Sequence, residues 1–223
     1  MSVDVERRRV ILTLAGSMAV GVGLISLLQA RGVEGQVREG GRRFAMYIDV
    51  DKCYGCMACV VACATENNVP IGVFRTWVER HVLPSGAVVF VPKLCNHCDN
   101  PPCVKPCPTG ATYRNEDGVV LVDAGKCIGC GACIVACPYG ARYFNPVTGV
   151  VDKCTFCNHR IYMGRLPACV EACPTGARVF GDLNDPNSEI RKLLDSEKVN
   201  VLKPELDLKP QVYYRSLPEV ASR

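Results

Sequence analysis

The sequence predicts an α+β fold on three observations. Sixteen cysteines fall into four groups of repeated spacing. A β-prone stretch precedes each group, at residues 45–50, 88–91, 119–122 and 150–151. Short helical turns fit residues 60–62 and 134–136, among the later cysteines of two groups. Strand, cysteine loop, short helix and strand therefore recur along the chain, with Gly86, Gly118 and Gly149 supplying turns ahead of the last three strands.

The opening segment is of a different kind. Arg7, Arg8 and Arg9 precede an uncharged run over residues 10–30. A basic start followed by an apolar stretch marks an export signal or a membrane anchor. The order Arg8-Arg9-Val10-Ile11-Leu12 resembles the twin-arginine signal, whose translocase passes folded proteins. The run is also long enough to cross a bilayer, which takes about 20 residues. Leu28 stands where cleavage would prefer a small residue, which favours retention of the segment. Residues 1–43 are thus read as a twin-arginine signal or membrane anchor plus a Gly- and Arg-rich linker. The net charge of +4 is too small to argue for a nucleic-acid partner.

The cysteines dominate the rest. Cys53, Cys56, Cys59 and Cys63 are spaced C-x2-C-x2-C-x3-C, and Cys127, Cys130, Cys133 and Cys137 repeat that spacing. Cys95, Cys98, Cys103 and Cys107 follow C-x2-C-x4-C-x3-C, and Cys154, Cys157, Cys169 and Cys173 follow C-x2-C-x11-C-x3-C. Three groups end alike. Cys107 leads into Pro108-Thr109-Gly110-Ala111, Cys137 into Pro138-Tyr139-Gly140-Ala141, and Cys173 into Pro174-Thr175-Gly176-Ala177. Cys63, followed by Ala64, departs from this ending.

These spacings carry iron–sulfur chemistry. Each iron of a cubane takes one external ligand, and soft, negative thiolate suits it. Three cysteines at i, i+3 and i+6 can wrap three corners of one cube, and the fourth corner is reached from elsewhere. The run C-x2-C-x2-C-x3-C-P is the bacterial ferredoxin pattern. Residues 127–138 match it in full, and residues 53–63 match it without the Pro. Gly55, Gly129 and Gly131 let the backbone come close to a bound group. Zinc would need two separated pairs and would leave cysteines surplus. Close repeated spacing and a folded-export signal argue against disulfides. Sixteen cysteines fill four [4Fe–4S] clusters with none left over. No nucleophile, acid–base pair or nucleotide loop is visible.

The remaining residues receive plainer readings. His97 and His159 lie beside cysteines and are expected around the clusters or at the surface, and His81 at the surface. Trp77 is read as packing. Lys52, Lys93, Lys126 and Lys153 precede the four groups and are read as solvated. Asp185-Pro186 reads as an N-cap opening a helix that runs to about Asp195. The tail over residues 199–223, with Pro204, Pro210 and Pro218, is expected to run extended, with Tyr213 and Tyr214 packing it down.

The order of the four groups resembles the iron–sulfur electron-transfer subunit of complex molybdenum or tungsten oxidoreductases. That family includes the dimethyl sulfoxide, polysulfide and tetrathionate reductases and a related subunit of formate-dependent nitrite reduction. The resemblance spans about residues 44–194. Its specific stretches are Cys95-Asn96-His97-Cys98-Asp99-Asn100-Pro101-Pro102-Cys103, Asp152-Lys153-Cys154-Thr155-Phe156-Cys157 and Leu166-Pro167-Ala168-Cys169-Val170-Glu171-Ala172-Cys173. Gly181-Asp182-Leu183-Asn184-Asp185-Pro186 adds to them, and all look most like the tetrathionate, polysulfide and nitrite branch.

Spacing alone leaves open which groups pair. The resemblance implies two nested ferredoxin-like modules, the second group paired with the third and the first with the fourth. By that carry-over Cys53, Cys56, Cys59 and Cys173 hold cluster 1, and Cys63, Cys154, Cys157 and Cys169 hold cluster 2. Cys95, Cys98, Cys103 and Cys137 hold cluster 3, and Cys107, Cys127, Cys130 and Cys133 hold cluster 4. It further implies a double ferredoxin-like domain over 44–183, followed by a C-terminal helix and tail over 184–223. The partners it implies are a membrane quinol-handling subunit and a molybdopterin-type catalytic subunit, with the protein at the exported face of the cytoplasmic membrane. The process it implies is reduction of a sulfur compound. The competing expectations are a free-standing polyferredoxin or a subunit of a nitrite- or dimethyl sulfoxide-type reductase.

Overall fold

A computed structural model describes residues 41–222. The basic, apolar leader with Arg8 and Arg9 lies outside the described residues. No helix among the described residues is long and apolar enough to cross a membrane.

The largest sheet has four strands in the order β8-β1-β10-β9. These are β1 (Phe44–Asp49), β8 (Arg178–Asp182), β9 (Val199–Asn200) and β10 (Val212–Arg215). β1 pairs antiparallel with β8 and parallel with β10, placing Met46 opposite both Phe180 and Val212. All six residues of β1 are buried, because successive side chains point to opposite faces and both faces are covered. Ala45 and Tyr47 meet Ile190 on one side. Met46 and Ile48 join Leu94, Phe156, Phe180 and Tyr214 in the main core on the other.

Three two-stranded ribbons carry the rest: β2 (Thr76–Val82) with β3 (Val88–Leu94), β4 (Thr112–Arg114) with β5 (Val120–Val122), and β6 (Arg142–Phe144) with β7 (Val151–Lys153). Strands appear at each of the four β-prone stretches. The helices are short: α1 (Ala58–Glu66), α2 (Ala132–Val135), α3 (Asn158–Ile161), α4 (Ala168–Glu171), α5 (Glu189–Ser196) and α6 (Glu219–Ser222).

Two local readings are corrected. Helix α5 begins at Glu189 after Ser188, not at Pro186. Asp185 is engaged in a turn instead, its Oδ1 accepting from the Asn187 amide at 3.0 Å and its carbonyl from the Ser188 amide at 3.0 Å. The start of α5 then packs so closely on β8 that a methyl on Gly181 would overlap Ser188 Oγ. The tail is also more ordered than an extended run. Between Pro210 and Pro218 the segment Val212–Arg215 enters the sheet as β10, beside β1. Alternation sends Tyr214 inward, where it is 0% exposed and its hydroxyl donates to the Pro92 carbonyl at 3.1 Å.

That burial yields a first prediction. Tyr214→Ala is expected to lower stability by about 3–5 kcal/mol, the usual cost of emptying an aromatic core site. Tyr214→Phe should lose about 1–3 kcal/mol, since the Pro92 carbonyl is left unpaired. Anaerobic thermal unfolding followed by circular dichroism ranks the three proteins, and equal midpoints would contradict the packing role.

Candidate functional site

Each cysteine loop has to turn its backbone inward, and does so through left-handed residues. Met57 (φ 61°) and Gly131 (φ 74°) take equivalent places and cap α1 and α2. Gly129 (φ 69°) sits where a methyl would come within 2.7 Å of the Gly149 carbonyl oxygen, so the site admits no side chain. In the other two groups the left-handed positions belong to His97 (φ 43°), Phe156 (φ 53°) and Cys157 (φ 51°).

The thiols collect from distant parts of the sequence. One cavity is lined by Cys53, Cys56, Cys59 and Cys173, with Arg178 beside them. A second is lined by Cys63, Cys154, Cys157 and Cys169, with Asn67 and Phe156. Around the Cys98 thiol stand Cys95, Cys103 and Cys137. Cys103, Cys127 and Cys133 share a small apolar cluster with Val120 and Val151, so it mixes cysteines of two expected quartets. Cys107 is half-buried and Cys130 exposed. All sixteen cysteines are free thiols.

Burial raises several of them. It pushes the Cys63 thiol up to about 12, with Cys169 and Cys157 adding to the effect. Burial pushes Cys98 up to about 12 and Cys169 up to about 11, and Cys154 well above its ordinary value. These thiols stay protonated at neutral pH until a metal displaces the proton. Cys107 behaves oppositely. The Thr112 amide donates to its Sγ at 3.4 Å and brings it down to about 7. Burial also acts upward on Cys173, but hydrogen bonds from the Thr175 side chain and nearby amides outweigh it.

An all-sulfur donor set suits iron. Among the described residues no group of three or more His, Cys, Asp or Glu side chains closes on a single-ion position. Thiols spaced around a cavity instead fit a multi-atom cluster with one metal behind each sulfur. Orphaned buried donors point the same way. Arg142 Nε, His97 Nε2 and Asn96 Nδ2 have no protein partner, and cluster sulfides can accept from such donors.

Several charged and polar side chains approach the thiols. Arg142 Nη2 donates to Cys103 Sγ at 3.0 Å and Nη1 to Thr112 Oγ1 at 3.2 Å. Arg178 Nη2 donates to Cys59 Sγ at 3.4 Å and to Thr76 Oγ1 at 2.9 Å. Asn67 Nδ2 lies 3.7 Å from Cys63 Sγ and 3.6 Å from Cys157 Sγ. Arg75 orients that amide by donating to its Oδ1 at 2.9 Å, and Asp152 holds Arg75 at 2.9 Å. His97 is 0% exposed. Its Nδ1 accepts from the Val120 amide at 3.1 Å, which leaves the proton on Nε2. Burial, then Lys153 and Arg142, hold it well below the usual imidazole range, so it is neutral.

The lysines divide. Lys52 and Lys126 are exposed, as read from sequence, but Lys93 is half-buried against Glu79 at 2.7 Å. Lys153 is buried and donates to the Cys154 carbonyl; its place in β7 points it into the core rather than to solvent. His81 is likewise half-buried, 3.0 Å from Glu79, and His159 pairs with Glu66 at 2.8 Å. Sequence reasoning missed Arg142 and Arg178. Their signal was one residue past the repeated Pro-x-Gly-Ala ending, where Ala141 and Ala177 are followed by Arg and Ala111 by Thr.

Comparison with known proteins agrees with the donor set. A 4Fe-4S dicluster domain matches residues 87–183 and a 4Fe-4S binding domain matches residues 50–66. The B subunit of tetrathionate reductase from Archaeoglobus fulgidus is 58% identical over 182 residues, covering 82% of this chain and 86% of the relative. Its Salmonella typhimurium counterpart is 44% identical, covering 98% and 91%. The corresponding component of polysulfide reductase from Wolinella succinogenes is 46% identical, covering 77% and 93%.

The raised thiols give a pH dependence. Lowering the pH from about 8 to about 6 keeps the buried thiols protonated and lets protons compete with metal. Cys107 crosses its own value of about 7 in that window. Iron uptake in anaerobic reconstitution is therefore expected to fall toward acid, measured as iron per chain, and equal uptake at both pH values would contradict the assignment.

Proposed function

This protein belongs to the family of iron–sulfur B subunits of the tetrathionate, polysulfide and dimethyl sulfoxide reductases, and on that premise we propose that it is the four-cluster, non-catalytic wire of such a complex. Its electrons would pass between a membrane quinol-handling subunit and a molybdenum- or tungsten-pterin catalytic subunit, in the reduction of a sulfur compound such as tetrathionate or polysulfide. Its place is the exported face of the cytoplasmic membrane, a reading that rests on Arg8, Arg9 and the apolar run after them.

The observation that carries the reading is the pair of cavities, each lined by four cysteines drawn from the first and last groups. It supports the nested assignment. Cys53, Cys56, Cys59 and Cys173 would hold one [4Fe–4S] cluster, and Cys63, Cys154, Cys157 and Cys169 a second. Cys95, Cys98, Cys103 and Cys137 would hold a third, and Cys107, Cys127, Cys130 and Cys133 a fourth. A bound cluster supplies one-electron chemistry. The protein's residues hold it by thiolate, exclude water with the buried core and offer it hydrogen bonds.

Metal analysis of anaerobically prepared protein tests the count, with about sixteen irons per chain expected, four for each cubane. Near-zero iron would end the reading. Isolation as a soluble monomer, free of membranes and of larger partners, would end the complex. Single substitutions test the pairing. Cys53→Ser and Cys173→Ser are expected to remove the same EPR signal, and Cys169→Ser a different one. Loss of one shared signal in Cys169→Ser and Cys173→Ser would overturn the nested order.

A further inference from the structure

Arg142 and Arg178 occupy equivalent places in the repeat. Each follows a Cys-Pro-x-Gly-Ala ending, begun by Cys137 and Cys173 respectively. Each opens a strand, β6 and β8, and each is buried, 5% and 2% exposed. Each returns to the quartet that its own cysteine joins. Arg142 reaches Cys103, grouped with Cys137, and Arg178 reaches Cys59, grouped with Cys173. A threonine hydroxyl fixes each guanidinium from the side, Thr112 in one case and Thr76 in the other.

A buried guanidinium ordinarily pairs with a carboxylate. Here the groups that face Arg142 are Cys103, Cys95 and Cys133, and those that face Arg178 are Cys169, Cys59 and Tyr214. No carboxylate is among them, so the counter-charge open to both is thiolate sulfur, once a metal has displaced the proton. The other two quartets receive weaker hydrogen bonds, although the charges of Arg178 and Lys153 also act on the second quartet through Cys169 and Cys154. The neutral Asn67 amide lies near Cys63 and Cys157, and a backbone amide bonds Cys107. Lys153 gives its bond to a carbonyl oxygen, not to a thiol.

We propose that Arg142 and Arg178 set the reduction potentials of the clusters held by the Cys95 and Cys53 quartets, raising each above its value without the charge. Reduction adds one negative charge to a cluster. A fixed cation in contact with a ligand sulfur stabilises the reduced form over the oxidised one. Burial keeps solvent and salt from screening the interaction. Arginine suits the task because it stays charged and its fork can bond thiol and hydroxyl together. The proposal rests on the four-cluster reading above.

The test uses the assembled complex, purified anaerobically, with iron counted in every preparation. Arg142→Gln and Arg178→Gln keep a donor but drop the charge. Each is expected to lower most the midpoint of the cluster whose ligand it bonds, a different one for each variant, in an EPR-monitored redox titration. The expected shift is tenfold or more in the reduction equilibrium, about 59 mV for a one-electron couple. Arg142→Lys and Arg178→Lys keep the charge and should recover at least half of that shift. Full iron with every midpoint unmoved overturns the proposal. Loss of iron in the Gln and Lys variants alike marks a structural role and overturns it too. A wild-type complex that lacks the iron of four clusters would instead reject the cluster reading itself, before any variant is compared.

Discussion

A thiolate taken out of water needs positive charge beside it, and all but Cys56 and Cys130 of the sixteen thiols are buried or half-buried. The most deeply buried answer by staying protonated, with Cys63 and Cys98 pushed up to about 12. Ionised together, they would be among the costliest groups a small interior could hold. Iron resolves the conflict. The same need explains why Arg142, Arg178 and Lys153 are buried without carboxylate partners of their own. It also explains why the core and the site share one place. Cys59, Cys95, Cys154 and Cys169 pack in the same cluster as Met46, Ile48 and Leu94. The strands β4, β5, β6 and β7 between the cysteine loops have only three residues each.

Regular structure acts here as a clamp. The tail bonds first to the second cysteine group and then to the main sheet. The Asp99 amide donates to the Lys209 carbonyl at 3.0 Å, and the Gln211 amide to the Asn96 carbonyl at 2.8 Å. Four residues later Arg215 Nη1 donates to the buried Asp49 carboxylate at 3.0 Å. One continuous segment thus ties the Cys95–Cys98 loop to β1, which pairs in turn with β8 and the fourth group's Arg178. The three prolines help only at their own positions, Pro204, Pro210 and Pro218, where φ is already fixed before docking.

The sequence showed the chemistry more fully than the scaffold. Cysteine spacing is a local property, and so is the β-propensity ahead of each group, so both could be read directly. The placement of β10 depends on a parallel pairing between Met46 and Val212, which no local pattern reports. The start of α5 was misjudged because Asp185-Pro186 is a sound capping signal in isolation. In the fold Asp185 closes a turn with Asn187 and Ser188, and the helix starts beyond it. Lys153 looked solvated because lysines usually are; its burial follows from its register in β7. Arg142 and Arg178 were legible in principle, one position beyond the repeat, but only the fold shows that both turn back onto thiols.

The contact between quartets is also set by loop geometry. His97 and Phe156 each lie between the first two cysteines of their groups, and both have positive φ. Their rings stack with centroids 3.7 Å apart and planes 23° from parallel. The left-handed residues of two separate cysteine loops thus meet ring to ring. The stack cannot slide freely. The Val120 amide holds His97 at Nδ1, and Phe180 abuts Phe156 edge-on at 5.2 Å. Nearby, Arg75 from the segment ahead of β2 grips Asp152 of β7 through two oxygens. Loops this short would otherwise leave the spacing of two thiol quartets to thermal motion. In a protein whose proposed task is to pass electrons between fixed stations, that spacing has to be built into the core. The stacked rings join the two loops directly, and the Arg75–Asp152 pair braces the second cavity beside them.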